Sequence, residues 1–528
     1  MSSVLDLFDK SGRLCYNGLH NTETGEIKVE KFLKGVLRLI ALMGLMLLLA
    51  MQVSAQELTA EDISGRGLLE KYHAFQPVGY LFDGSTYYST EARQNGWVTL
   101  KAEQGMGSLY FVFGEDCPSL ILHNEDTGEI REIQDNSFLH LFVDLEELFG
   151  GTVQRLTITF PEKQTLISEL SVYTAGQVPD SVQRWQEPKE HETDLVLFSA
   201  HGDDEQLFFA GLLPYYGAER GYQVQVVYLT DHRNQGARRR HEMLDGLWAV
   251  GIQTYPVFGS FGDYYTMSLS EAYSRYEKKG VTREELLGFV VEQLRRFRPK
   301  VAVGHDLNGE YGHGMHRLYA DLLCQAVQVS QDREAYPELA ERYGVWDVPK
   351  TYLHLYEENV VWMDWDQPLE SFDGMTAYQV TKQLGFTSHP SQEVYYGWYF
   401  RYRDKATDIK QYSPCWYGLY RSTVGEDVQK QDLFENLTSY EEDAKMEQAL
   451  KEAEEARCRA EQEQAAAETE PEQNPVPTLP APTQPSQPEQ PDEVQKAQMP
   501  DWQALLLAVS SCGAFLLLAA GLVRRKGK

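Results

Sequence analysis

Cysteine is scarce in this chain, 6 among 528 residues. No Cys-x-x-Cys pair and no dense spacing occurs, which excludes a disulfide framework and a cysteine-rich zinc module. Cys117, Cys324 and Cys415 read as small core residues, whereas Cys15, Cys458 and Cys512 fall outside the core-forming segments. Cations are also few. Lys and Arg number 48 against 79 Asp and Glu, a formal net charge of -31. That balance excludes nucleic acid as a partner, because phosphates need a basic footprint. It also speaks against docking a folded face on anionic lipid. No Gly-x-Ser-x-Gly elbow is present, which removes the serine-hydrolase reading. No Gly-x-Gly-x-x-Gly follows the first strand of the α/β pattern, so a dinucleotide is not expected. Internal repeats are absent.

Long apolar runs are confined to the two ends. Lys31, Lys34 and Arg38 precede the run Leu39 to Met51, and Val53-Ser54-Ala55 forms a signal-peptidase pattern before Gln56. Residues 1–55 are therefore expected to be an extension plus signal peptide, with the start near Val29 or a long cytoplasmic lead; an uncleaved anchor is the alternative. Leu505 to Val523 is apolar over about 19 residues, enough to cross a bilayer. Arg524, Arg525, Lys526 and Lys528 follow it and place the C-terminus inside. Residues 501–528 are thus expected to be a single-pass transmembrane helix with a basic tail, the bulk of the protein lying outside the cytoplasm. Residues 436–500 combine a charged, solvated helix at about 439–466 with a Pro-rich spacer.

Two folded regions lie between. Residues 56–185 carry short strand-like runs, Trp97 to Leu100, Leu109 to Phe113, Phe138 to Phe142 and Leu156 to Phe160, separated by Gly, Asn and Asp. This is the signature of a β-sandwich. Over 190–435 the pattern becomes α/β. Strands at Leu195 to Ser199, Val224 to Leu229 and Val301 to Gly304 alternate with helices at about 206–217, 238–250, 283–297 and 316–327. Such alternation predicts a mostly parallel, Rossmann-like sheet with helices on both faces. Residues 345–428, with Trp346, Trp362, Trp365, Trp398 and Trp416, are expected to complete this domain and wall its cleft.

Two clusters carry the chemistry. His201-Gly202-Asp203-Asp204 directly follows the first α/β strand, and Tyr311, His313 and His316 follow the strand at 301–304. In an open α/β sheet, ligands collect at the carboxyl ends of strands. His and Asp at two such ends can bring nitrogen and oxygen donors to one divalent metal, and two His plus a carboxylate with an open position is a hydrolytic zinc set. Adjacent carboxylates on a turn point in different directions, so one can ligate while the other serves as base. Helix capping is the alternative role for the Asp pair.

These residues resemble the PIG-L/LmbE family of zinc-dependent de-N-acetylases, with its AHPDDE-type and later YGHPDH-type motifs. The resemblance implies an LmbE-like fold and removal of acetyl from N-acetylglucosamine conjugates. It implies His201, Asp204 and His316 as zinc ligands and Asp203 as general base. His313 becomes general acid or electrostatic stabiliser, and Tyr311 supports the oxyanion. Two departures stand out: Gly202 replaces the usual Pro, and Met315 replaces the usual Asp, which leaves the protonation of His313 open. Asp83-Gly84 and the run Ile167 to Tyr173 resemble a galactose-binding-like (discoidin-type) module, which implies sugar binding, often near calcium; Tyr87 and Trp97 are its candidate stacking residues.

Further candidates surround the clusters. Arg239 and Glu242 resemble the family's RxxE helix, and either brace the site, meet sugar hydroxyls or simply pair along a helix. Asp231 and Asp263 follow strands on the ligand face, and His389 opens a His-Pro-Ser-Gln segment; all three are candidate sugar contacts. The expectation is a membrane-anchored, extracytoplasmic, metal-dependent hydrolase that deacetylates N-acetylated sugars with Zn2+ or another divalent metal. Its partners are a carbohydrate or glycoconjugate substrate and the membrane. A non-catalytic glycan-binding surface protein and a metal-dependent amidase are the alternatives.

Overall fold

A computed structural model describes residues 58–162, 164–232 and 236–468 of the chain. The expected signal segment, Pro-rich spacer and membrane span fall outside the described residues. Among those described, no helix is long and apolar enough to cross a membrane.

The first region is built from β1 (Leu69–Gln76), β2 (Thr90–Met106), β3 (Ser108–Phe113), β4 (Leu120–Asn124), β5 (Glu129–Ile133), β6 (His140–Asp144), β7 (Val153–Phe160) and β8 (Thr165–Tyr173). All pairings between them are antiparallel. The long β2 bends at Asn95, whose φ is 56°. Before the bend Thr90 to Ala92 pair with β8; after it Gly96 to Lys101 pair with β7. One strand therefore serves both layers, β5-β4-β7-β2 and β2-β8-β3-β6. Leu100, Leu122 and Ile158 of one layer share a buried cluster with Phe111, Leu170 and Val172 of the other. The first region is thus one eight-stranded antiparallel sheet domain, and a short helix α1 (Leu145–Phe149), capped by Asp144, follows β6.

The second region is a seven-stranded sheet in the order β11-β10-β9-β12-β13-β15-β14. Here β9 is Leu195–Ser199, β10 Val224–Thr230, β11 Val257–Phe261, β12 Val301–Gly304, β13 Lys350–His354, β14 Val360–Trp362 and β15 Trp416–Ser422. The five strands from β11 to β13 run parallel, and β15 and β14 close the sheet antiparallel. The helices are α2 (Asp204–Leu207), α3 (Ala237–Ala249), α4 (Leu269–Glu277), α5 (Arg283–Phe297), α6 (Gly314–Val329), α7 (Pro337–Tyr343), α8 (Ala377–Val380) and α9 (Glu393–Tyr399). Every residue of β9 is buried. Leu195 and Leu197 join one core with Met243 and Leu247 of α3, whereas Val196 and Phe198 join another with α5 and α6. A sheet covered on both faces needs such continuous apolar strands.

One expected helix is not continuous. In place of a helix over 206–217, α2 ends at Leu207 and a wide π-type turn follows at Pro214–Glu219. Gly211 adopts φ 96°, and a β-carbon there would sit 2.5 Å from Trp365. Pro214 also lacks a backbone donor. Residues 345–428 do complete the sheet, through β13 to β15.

Helix α3 lies between the two regions. On the sandwich side, His241 Nδ1 meets His140 Nε2 at 2.7 Å, Arg240 reaches Asp116 at 3.3 Å, and Gln183 donates to Asp245 at 2.5 Å. Trp185 packs against Trp248 and Tyr255. The expected solvated helix is α10 (Tyr440–Glu468), with exposed Glu441–Lys445 and Glu447–Lys451 pairs one turn apart.

Candidate metal centre and catalytic cleft

Strands β9 and β12 are neighbours in parallel register, Leu195 opposite Val301. The chain runs outward from β9 to β10 and β11 on one side and returns as β12 on the other. The crevice at such a switch point is where open α/β sheets bind ligands. The turn after β9 presents His201, Asp203 and Asp204; the segment after β12 presents Tyr311, His313 and, on the first turn of α6, His316.

Three donor atoms converge there. His201 Nδ1 lies 3.0 Å from Asp204 Oδ2 and 3.2 Å from His316 Nε2, and the last two are 3.2 Å apart. A tetrahedral zinc ion with bonds of about 2.0 Å spaces its donors about 3.3 Å apart, so the set fits such an ion. Each of the two histidines is oriented by a carboxylate behind it. His201 directs Nε2 to Asp263 at 3.2 Å, and His316 directs Nδ1 to Glu310 at 2.7 Å. Carboxylate-backed histidines fix the tautomer that a metal needs. Burial opposes charge on both imidazoles. The carboxylates outweigh it, leaving His201 well above the ordinary value and His316 at about 9. The centre is therefore built to hold positive charge, as a divalent cation supplies.

Asp203 stands beside the ligands without joining them. Its Oδ1 pairs with Arg239 at 3.1 Å, both side chains being buried. Burial pushes its carboxyl up to about 6 against the pull of Arg239, which suits a base working near neutrality. Arg239 is in turn held by Glu242 at 3.2 Å, and Glu242 accepts from Arg238 and from Ser391 N. Arg239 and Glu242 thus brace the base.

Tyr311 and His232 enter the cleft from left-handed backbone, φ 48° and 53°. Burial, together with Asp204 and Asp203, raises the Tyr311 phenol far above its usual range, so it stays a hydrogen donor. Burial, with His201 and His316 nearby, pushes His313 down to about 2. Its Nδ1 is buried with no hydrogen-bond partner. Met315 packs in the apolar core on α6, so no carboxylate from that position charges His313. Burial thus favours the neutral imidazole at His313. Gly202 does more than shape a turn. A β-carbon there would lie 2.1 Å from Met243 Cγ, and its N–H faces His232 Nε2 at 3.3 Å.

The cleft has a volume of about 350 Å3. Of the further candidates, Arg239 and Asp263 line it, Asp263 as the partner of His201. Glu242 lies behind Arg239. Two candidates are corrected. Asp231 does not line the cleft; the next residue, His232, does, because the chain turns left-handed there. His389 is buried behind Arg239, 3.2 Å from its guanidinium, and its segment reaches the cleft through Gln392 instead. Trp398 forms part of the expected aromatic wall, with Tyr265 and Tyr395, whereas Trp365 is core.

The residue that sequence reasoning passed over is Glu310. It is fully buried and accepts from His305 at 3.0 Å, His316 at 2.7 Å and His354 at 2.6 Å. His305 comes close to the ligands, but its Nε2 is taken by the Ala200 N–H at 2.9 Å. The signal available was position: His305 follows a buried strand directly, and His232 stands two residues after another.

The family profile described as PIG-L, GlcNAc-PI de-N-acetylase, matches residues 196–327. The 1D-myo-inositol 2-acetamido-2-deoxy-alpha-D-glucopyranoside deacetylase of Mycobacterium leprae (strain Br4923) is 30% identical over 254 residues, 43% of this chain and 77% of that one. Its namesake from Mycobacterium sp. (strain KMS) is 25% identical over 227 residues, 38% of this chain and 73% of that one. The solved N,N'-diacetylchitobiose deacetylase of Pyrococcus horikoshii is 14% identical, with a TM-score of 0.27, covering 43% of this chain and 83% of that one. With the motif residues gathered at one centre and most of a 30% identical relative aligned, the chain belongs to the PIG-L family of de-N-acetylases.

Proposed function

We propose that this protein is a zinc-dependent N-deacetylase that releases acetate from N-acetylglucosamine-containing glycans or glycoconjugates. It works outside the cytoplasm, on the membrane anchor that the terminal apolar run suggests. The observation that carries the activity is the convergence of His201, Asp204 and His316 beside a base, Asp203, in a cleft walled by aromatic side chains. The two mycobacterial relatives are named for deacetylating a 2-acetamido sugar, the same bond class.

A divalent metal on the three ligands supplies Lewis acidity towards the water and the amide carbonyl. Asp203 accepts the proton of the attacking water, its carboxylate held in place by Arg239. As the carbonyl oxygen gains charge, the Tyr311 hydroxyl and a neutral His313 N–H donate to it. Asp203 then returns the proton to the amine nitrogen, the C–N bond breaks, and acetate and the free amine leave. Tyr265, Tyr395 and Trp398 offer flat faces to the sugar ring at the mouth.

Acetate release from N-acetylglucosamine oligomers by the full chain with added zinc, beside Asp203→Asn, tests this reading. Release by the parent and a loss of about a hundredfold or more in the variant are expected. No release with zinc bound would overturn the sugar as substrate and favour an amidase. No release without bound metal would overturn the metallohydrolase.

A further inference from the structure

Gln392 lines the catalytic cleft, yet no step of the deacetylation needs it. Its place is set from two sides. Its backbone N–H donates to His389 O at 2.8 Å, and its side-chain Nε2 donates to Ser391 Oγ at 3.0 Å. Ser391 is held by Glu242, which accepts from Ser391 N at 3.0 Å and from Ser391 Oγ. Glu242 pairs with Arg239 at 3.2 Å, and Arg239 with Asp203 at 3.1 Å. An unbroken line of contacts therefore runs from the base to Gln392.

That line fixes which way the amide faces. The Ser391 hydroxyl has one hydrogen, and it goes to the Glu242 carboxylate. Towards Gln392, Ser391 Oγ can then only accept, so the amide must turn Nε2 to it. Oε1 is left as an acceptor of set orientation on a side chain that lines the cleft, and among the described residues no donor meets it. The cleft's carboxylates are already engaged, Asp203 with Arg239, Asp204 and Asp263 with His201. Gln392 thus offers the substrate an uncharged acceptor. An acetamido sugar linked through C1 and C4 keeps one free hydroxyl directly beside its acetamide, the one at C3.

We propose that Gln392 is a specificity-determining residue of this cleft, its Oε1 accepting from the C3 hydroxyl of the sugar that carries the acetyl group. A sugar alkylated at O3 has no hydrogen to give and is disfavoured. For the reaction, this inference rests on the deacetylase reading; for binding, it requires only that the cleft takes the sugar.

The methyl glycoside of N-acetylglucosamine and its 3-deoxy analogue test it, with the zinc-loaded full chain beside Gln392→Met. The parent should favour the hydroxylated glycoside in kcat/KM about tenfold or more, the scale of one hydrogen bond left unmade. Gln392→Met should lose a similar factor on the hydroxylated glycoside and treat the two alike. A parent without the preference, or a variant that keeps it in full, overturns the inference. If no form releases acetate, the deacetylase reading fails, and the ratio of affinities by titration calorimetry decides in the same way: about tenfold in the parent and about one in the variant supports the contact. Failure of the parent to bind either glycoside overturns it. Equal melting temperatures show that the variant folds, and the parent's own preference needs no variant.

Discussion

A side chain at position 202 would have to displace Met243, whose Cγ, Sδ and Cε all lie within 2.6 Å of where its β-carbon would stand. Proline, the residue the family motif has there, would also delete the N–H that faces His232. Gly202→Pro is therefore expected to cost about 1–3 kcal/mol by overpacking. Because the clash is with one side chain, Met243→Ala should couple with it. Denaturant unfolding of both single variants and the double variant should give a double-variant loss smaller than the sum by about 0.5 kcal/mol or more; strict additivity would refute the clash. Glu310 acts through others. Its replacement by Gln keeps the volume but removes the charge that orients His316, and zinc affinity should fall about 10–100-fold in chelator competition; an unchanged affinity would mean that His316 needs no such partner. These two residues also mark what the sequence disclosed. His201, Asp204 and His316 were legible because each sits in a short motif after an apolar strand. Glu310 stood inside the second motif, but its role depends on His305, His316 and His354 meeting across neighbouring strand ends. No local pattern records that meeting. Asp231 was misplaced because the left-handed turn at His232 is invisible to strand-end counting.

Helix α3 has no exposed face to speak of over residues 239–244, although its sequence is dense in charge. Arg239 serves the cleft, while His241 closes a chain from Tyr110 to His140 to His241, each link 2.7 Å long. Periodicity located this helix within one residue at each end, but an amphipathic reading could not foresee that its polar residues are internal. The buried histidine pair ties the two regions in a pH-dependent way. Burial, aided by the Arg240 charge, pushes His241 from 6.5 down to about 4, and burial with His241 nearby holds His140 well below its ordinary value. A folded-state pKa below the unfolded one means that the unfolded chain binds the proton first. Stability is then full above about pH 6.5 and declines as pH falls towards 4. His241 alone accounts for roughly 3 kcal/mol over that window. Melting temperatures from pH 7.5 to 4.5 should fall less steeply in His241→Gln than in the parent; equal slopes would remove the pair from the pH response.

At the scale of the whole molecule, sandwich and α/β sheet share a single apolar cluster. It runs from Leu100 and Phe111 of the sandwich through Trp185 and Tyr255 to Leu197 and Met243. Phe138 packs tilted against Tyr255 with ring centroids 4.9 Å apart, and the Tyr255 hydroxyl accepts from Leu139 N at 3.0 Å. Sequence composition separated the two regions correctly as fold types, yet a boundary in pattern is not a boundary in stability. Regions that bury a common core should unfold together. The scarce cysteines report on this. Cys117 lies in the sandwich, Cys324 on α6 and Cys415 beside β15; all three are buried, and burial pushes each thiol up to about 12. Thiolate is the reactive species, so all three should resist iodoacetamide in the native protein. Cys458 on α10 is exposed and should be alkylated at once. On heating, mass spectrometry should find Cys117, Cys324 and Cys415 becoming labelled over the same few degrees. Labelling of Cys117 well below the other two would mean that the sandwich opens alone, and that the contacts of α3 with it do not couple the two cores.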